Sequence, residues 1–239
     1  MTYVDGFVIA VPIANRDAYR DHAQNAVPLF KECGATRMVE NWGDDVPDGK
    51  VNDLKQAVQA KPDETVVFSW IEYPDRAARD AAGAKYMSDP RMEAMGASMP
   101  FDGSRLIFGG FQAEVDDGSG GAMGYVDGFV LPVPHDKREV YFDFARKASE
   151  VFRDHGAIRV VEAWGDDVRA GKVTDFVRAA HATGDEAVVF SWIEWPDKAT
   201  RDTGMAATMS DERMKIPPDG MPFDGKRMTF GGFETILDA

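Results

Sequence analysis

Apolar and polar positions along this chain follow two periods, and they change places in a fixed order. "YVDGFVIAVP" (3–12) is rich in β-branched and aromatic residues and stops at Pro12, which predicts a strand. "NRDAYRDHAQNAVPLFKECG" (15–34) repeats apolar residues at Ala18, Ala23, Ala26, Leu29 and Phe30. That spacing predicts an amphipathic helix, with Asn15 as a candidate N-cap, Pro28 as a candidate kink and Gly34 as its stop. "ATRMVENW" (35–42) reads as a second strand, and "TVVFSWIEY" (65–73) as the strongest strand of all. Between them "VNDLKQAVQA" (51–60) fits either a short strand or a helical turn. "PDRAARDAAGAKYMSD" (74–89) predicts a second helix capped by Asp75, and "DPRMEAM" (89–95) a short extra turn with Pro90 at its first position. "RLIFGGFQAEV" (105–115) closes the set as a strand entered through an Asp102-Gly103 turn.

The whole pattern then occurs again. Shifted by 122 positions, the sequence matches itself without a gap: "YVDGFV" at 3–8 and 125–130, "VVFSWIE" at 66–72 and 188–194, "FGGF" at 108–111 and 230–233. A period this long marks duplicated domains rather than a solenoid. The predicted organisation is a first repeat at 1–116, a Gly/Ser-rich linker "DDGSGG" at 117–122 and a second repeat at 123–239. Each repeat runs β-α-β-β-α-β, the ferredoxin-like order of an α+β fold. Such a sheet covers one face with helices and leaves the other bare. The expected architecture is therefore two repeats packed sheet to sheet as an intramolecular pseudo-dimer with a barrel-like core. A further homodimer of that particle is a second expectation.

Composition narrows the partners. The formal net charge is −14 over 239 residues, with no Lys/Arg cluster to offset it, so nucleic acid is an unfavourable partner. No apolar run reaches transmembrane length and the first twenty residues lack a basic leader, so no membrane partner is expected. The single cysteine, Cys33, cannot form an internal disulfide, which points to a reducing cytoplasm.

Joined together, "YVDGFVIAVP", "WGDDVPDGKV", "VVFSWIEYPD", "MSDPRM" and "MPFDGSRLIFGGF" closely resemble the YbaA-like family of small bacterial proteins, over essentially all of both repeats. The resemblance implies the dimeric α+β barrel superfamily. That superfamily holds cofactor-free monooxygenases, lactone isomerases, haem-dependent peroxidases and plain binding proteins, a range that fixes no chemistry by itself. This chain departs from the single-copy pattern by being a tandem. It also reads "KIPPDG" at 215–220 where the first repeat reads "EAMGAS".

The duplication also filters candidate chemistry, because a site shared by both repeats must recur at the 122-residue offset. His22, His135, His155 and His181 all lack a histidine partner, and Cys33 aligns with His155. A shared Ser-His-acid or Cys-His site is thereby excluded, and no zinc-ligand spacing is present; no metal and no cofactor are expected. Acids, indoles and arginines survive. Asp5/Asp127 sit in an apolar strand, Glu40/Glu162 precede Trp42/Trp164, and Glu72/Glu194 follow Trp70/Trp192. Alternation puts Met38, Glu40 and Trp42 on one face of their strand, and Phe68, Trp70 and Glu72 on one face of the next. With the strands in register, two carboxylates and two indoles would line one cavity and could divide acid and base roles between them. Arg79/Arg201 and Arg91/Arg213 are candidates to hold an anionic group. Asp44-Asp45 and Asp166-Asp167 read as solvent-facing turns. Two functions remain open at this point. One is a cytoplasmic protein that binds a small apolar or anionic molecule and performs cofactor-free acid–base or oxygenase-like chemistry. The other is a non-catalytic interaction or ligand-sequestering module.

Overall fold

The computed structural model describes residues 1–215 and 220–239. The "KIPPDG" departure lies largely outside the described residues. Eight strands close into one barrel among the described residues, in the order β1-β3-β2-β8-β5-β7-β6-β4. They are β1 (Tyr3–Pro12), β2 (Arg37–Asp45), β3 (Glu64–Tyr73), β4 (Ile107–Asp117), β5 (Tyr125–Pro134), β6 (Arg159–Asp167), β7 (Glu186–Trp195) and β8 (Thr229–Asp238). Within each repeat the order is ferredoxin-like, with β4 beside β1, β1 beside β3, and β3 beside β2. The repeats also share edges: β2 pairs antiparallel with β8, and β4 with β6. The two sheets thus face one another and close, which leaves no unpaired edge to recruit another chain.

The inner face explains why fusion suits this sequence. Val8, Phe68, Trp70, Phe111 and their counterparts Val130, Phe190, Trp192 and Phe233 fill the barrel as one apolar cluster. Phe68 stacks on Phe190 and Trp70 on Trp192, each pair with ring centroids 4.4 Å apart. These rings come from opposite repeats, so neither half could bury them alone.

Both ends of the barrel are closed. "VNDLKQAVQA" contains a helical turn, α2 (Leu54–Ala57), capped by the Asp53 side chain. With α6 (Phe176–Ala179) it sends Leu54, Ala57, Phe176 and Ala179 into the barrel core. Thr174 Oγ1 donates to the Ala57 carbonyl at 2.6 Å, and Asn52 Nδ2 to the Ala179 carbonyl at 2.8 Å, so each turn is held by the other repeat. At the opposite end, where β2 and β6 begin, an ion cluster lies beneath the Gly118–Gly121 linker.

Helices coat the outside. α1 (Arg16–Cys33) buries Tyr19, Ala23, Ala26, Leu29 and Cys33 at helical spacing, and ends at Gly34 with φ 122°. Its expected Asn15 cap is not made: Asn15 Nδ2 donates instead to the Pro100 carbonyl, 2.7 Å away. α3 (Arg76–Tyr86) starts at Asp75, whose carboxylate accepts from the Ala78 amide at 2.8 Å. α4 (Pro90–Ala97) carries Pro90 in its first turn. α5 (Arg138–Asp154) and α7 (Lys198–Ser210) repeat α1 and α3 in the second half. Among the described residues no helix is long and apolar enough to cross a membrane.

Candidate active site

Glu40 projects from the outer face of β2 into the space between the sheet and α1. Its carboxylate accepts a 2.6 Å hydrogen bond from the Tyr19 hydroxyl of α1. Ser69 is its cross-strand partner on β3, which places a second hydroxyl in its neighbourhood. Beside it opens a cavity of about 200 Å³, lined by Phe7, Phe30, Phe101, Met38, His22 and the α4 residues Met92 and Met95. The wall is almost wholly apolar. Burial pushes the Glu40 carboxyl up to about 7, against the downward pull of the Tyr19 and Ser69 hydroxyls. The same burial, reinforced by the neighbouring carboxylate, raises the Tyr19 phenol well above its ordinary value, so Tyr19 stays a donor.

The second repeat rebuilds this floor. Tyr141 donates to Glu162 at 2.6 Å, Ser191 lies opposite on β7, and burial raises the Glu162 carboxyl to about 7. Glu40 and Glu162 therefore stand as the candidate acid–base groups, each presented to the apolar layer between sheet and helices.

The shared cavity expected for Glu40, Glu72, Trp42 and Trp70 is corrected. The face of each strand was read properly, but the relative phase was not. β2 and β3 pair Val39 with Trp70 and Glu40 with Ser69, so Trp70 and Glu72 point into the barrel while Glu40 and Trp42 point out. Trp42 packs against Tyr19 beneath the Arg16 guanidinium, and Trp164 against Phe142 beneath Arg138.

Glu72 and Glu194 belong to the ion cluster at the barrel end. Arg159 Nη1 donates to Glu72 at 2.7 Å, and Arg37 Nη1 to Glu194 at 2.7 Å, so each repeat's arginine holds the other repeat's glutamate. The Trp70 and Trp192 indoles donate to Glu72 and Glu194, each at 3.0 Å. Asp116 and Asp238 complete the arginine shells. Trp70 and Trp192 are accordingly core residues rather than ligand walls.

Asp5, Asp127, Arg79 and Arg201 also face one another. Arg79 Nε donates to Asp5 at 2.8 Å and its Nη1 reaches Asp167 of the second repeat at 2.7 Å. Arg201 Nη2 donates to Asp127 at 2.6 Å and its Nη1 reaches Asp45 of the first repeat at 3.3 Å. The Tyr125 hydroxyl donates to Asp44 at 2.9 Å, and Tyr3 to Asp166 in the same way. The paired aspartates are thus strand ends rather than turns; Asp44 and Asp45 face solvent as expected, yet all four clasp the opposite repeat. Arg91 and Arg213 lie at the surface, paired with Asp89 and Glu32, and with Asp211 and Asp154.

Sequence reasoning missed Tyr19, Ser69 and His22. The first two carried a readable signal, since Tyr141 and Ser191 stand at their offsets. They were passed over because a tyrosine on a helix and a serine in a strand are ordinary alone; only the fold brings them to one carboxylate.

A family model described as "Protein of unknown function (DUF1428)" matches residues 2–103 and again residues 124–225. The Escherichia coli K12 protein described as "Uncharacterized protein YbaA" is 62% identical over 117 residues, which is 49% of this chain and 100% of that protein. The Shigella flexneri protein of the same description matches to the same extent, 62% over 117 residues. Among solved structures, a Fusobacterium nucleatum protein provisionally described as a monooxygenase superposes with a TM-score of 0.63 at 10% identity, covering 99% of this chain and 93% of its own. A Lactobacillus acidophilus protein with the same provisional description gives a TM-score of 0.60 at 10% identity, over 100% of this chain and 95% of its own. An anthrone oxidase-like protein gives 0.52 at 10% identity, over 100% and 92%. At such identities the likeness shows a shared fold: a dimeric α+β barrel.

Proposed function

We propose, for a chain that belongs to the DUF1428 family in both of its halves, that it binds a small aromatic molecule in the cavity between sheet and helices and takes a proton from it with Glu40. The observation that carries this reading is one buried carboxylate at the floor of an apolar cavity, held by the Tyr19 hydroxyl, with burial raising its pKa to about 7. A base with that value is half ionised at physiological pH and still strong enough to remove a phenolic or enolic proton. Removal leaves an electron-rich oxyanion or enolate, the form of an aromatic substrate that reacts with dioxygen directly. The provisional description of two structural neighbours as monooxygenases, and of a third as anthrone oxidase-like, supports oxygenation as the step that follows: in an anthrone the methylene carbon takes one atom of dioxygen as a carbonyl, both of its C–H bonds are lost as protons, and the other atom leaves as water, with all four electrons supplied by the substrate. Tyr19 orients the carboxylate, and Met92 and Met95 shape the wall with side chains that adapt to flat ligands.

The test is kinetic. A panel of phenols, quinols and anthrones is screened for turnover, and the best substrate is compared between the wild type and E40Q. The expected result is a loss of at least about 10²-fold in kcat/KM, and a wild-type profile that rises through a pH near 7. Full activity in E40Q with a flat profile would sink the proposal. Tight binding without turnover would favour ligand sequestration instead.

A further inference from the structure

Glu40 and Glu162 have matching hydroxyl neighbours, but the helix residue that follows Tyr19 by one turn differs from the one that follows Tyr141. His22 lines the first cavity on the same side as Tyr19, one helical turn along α1. At the matching position of α5 stands Phe144. The fold treats the two rings alike: His22 sits edge-on to Phe101 with centroids 6.3 Å apart, and Phe144 packs against Phe223, the counterpart of Phe101, at 6.5 Å. Position and aromatic neighbour are conserved between the repeats, and only the chemistry of the ring differs. His22 makes no hydrogen bond to any of the described residues, although it is only partly exposed. Burial pushes its imidazole below the ordinary value, so it is neutral at physiological pH, with one ring nitrogen to donate and one to accept.

We infer that His22 is a specificity residue: it hydrogen-bonds a second polar group of the ligand, so the cavity beside Glu40 selects an aromatic molecule with two polar groups over one of the same shape with a single polar group. This rests on the reading of Glu40 as the group that meets the first polar end. The cavity volume agrees with a molecule of one or two rings, since about 200 Å³ exceeds the roughly 150 Å³ that admits benzene into an apolar core. Two polar groups lining one apolar space of that size reject a ligand that fills the space but leaves one of them dry.

Two probes separate the possibilities: hydroquinone, handled without oxygen, and 4-methylphenol, which has the same shape but one hydroxyl. Binding is followed by calorimetry and by the shifts of the His22 ring in NMR spectra. Wild type is expected to bind hydroquinone about tenfold more tightly than 4-methylphenol, with the His22 resonances moving only for hydroquinone. H22F, which places the second repeat's residue in the first, should bring the two affinities within about twofold. H22Q, which keeps a donor and an acceptor, should restore much of the preference. Retention of the tenfold preference in H22F, with both probes still weakened by E40Q, would overturn the role of His22 and leave the Glu40 site standing. Binding insensitive to both E40Q and E162Q would overturn the glutamate sites themselves, and this inference with them.

Discussion

At the scale of the residue, two carboxyls dominate the behaviour of the molecule. Burial raises both Glu40 and Glu162 from an ordinary value of 4.5 to about 7. The folded state therefore holds these protons more tightly than the unfolded chain does. Their destabilising effect is absent below pH 4.5, grows between 4.5 and 7, and is complete above 7. Each contributes a loss on the order of 3 kcal/mol across that window. E40Q and E162Q carry no ionisable group, so they escape it. Thermal unfolding should show each variant gaining several degrees on wild type at pH 8 relative to the same comparison at pH 5. An unchanged difference at the two pH values would mean that the glutamates titrate as exposed groups do.

Strands and helices set how closely the chain can approach itself. Gly110 in β4 lies where a Cβ would come within 2.6 Å of the Tyr3 hydroxyl and 3.1 Å of Arg79 Nη2. G110A should destabilise by about 1–3 kcal/mol and disturb the clasp on the second repeat. Gly83 in α3 has no atom within 4 Å of the same position, and the second repeat carries Met205 there. G83A should stabilise by up to about 1 kcal/mol, because it removes only the backbone freedom of a helical glycine. Urea denaturation of the two variants checks both signs. Much of this level was legible in the sequence. The β-branched strands, the Asp75 cap and the Gly34 stop all have local causes and are legible in local patterns. The inward-facing Trp70 and outward-facing Glu40 were not separated, because alternation fixes the faces of one strand but not its phase against a neighbour. Asp44, Asp45, Asp166 and Asp167 read as free turns because the partners that fix them lie in the other repeat. Glu40 was legible as a candidate, but its cavity was not, since α1, α4 and the sheet meet there only in three dimensions.

Across the whole molecule, duplication has turned an association of two subunits into a fold. Arg37 and Arg159 each bind the glutamate of the other repeat, inside a barrel end with little access to water. R159M should cost about 3 kcal/mol in urea denaturation, because it leaves the buried Glu72 carboxylate to the Trp70 indole and the 3.5 Å contact of Arg37. Cleavage at a protease site placed within Gly118–Gly121 should leave the halves together on a sizing column, held by shared strand edges and stacked rings. Separation at micromolar concentration would show that the linker, not the interface, joins them. With the barrel interior filled by those rings, a ligand has to bind outside the sheet, where Glu40 is. The most direct measurement is a carbon-13 NMR titration of the glutamate side-chain carboxyls in the intact chain, free and with 4-methylphenol. The expected result is two resonances with midpoints near 7, one absent in E162Q and the other, absent in E40Q, shifting when the phenol binds. A Glu40 midpoint near 4.5, unmoved by any phenol, would contradict a buried base at the floor of a ligand cavity.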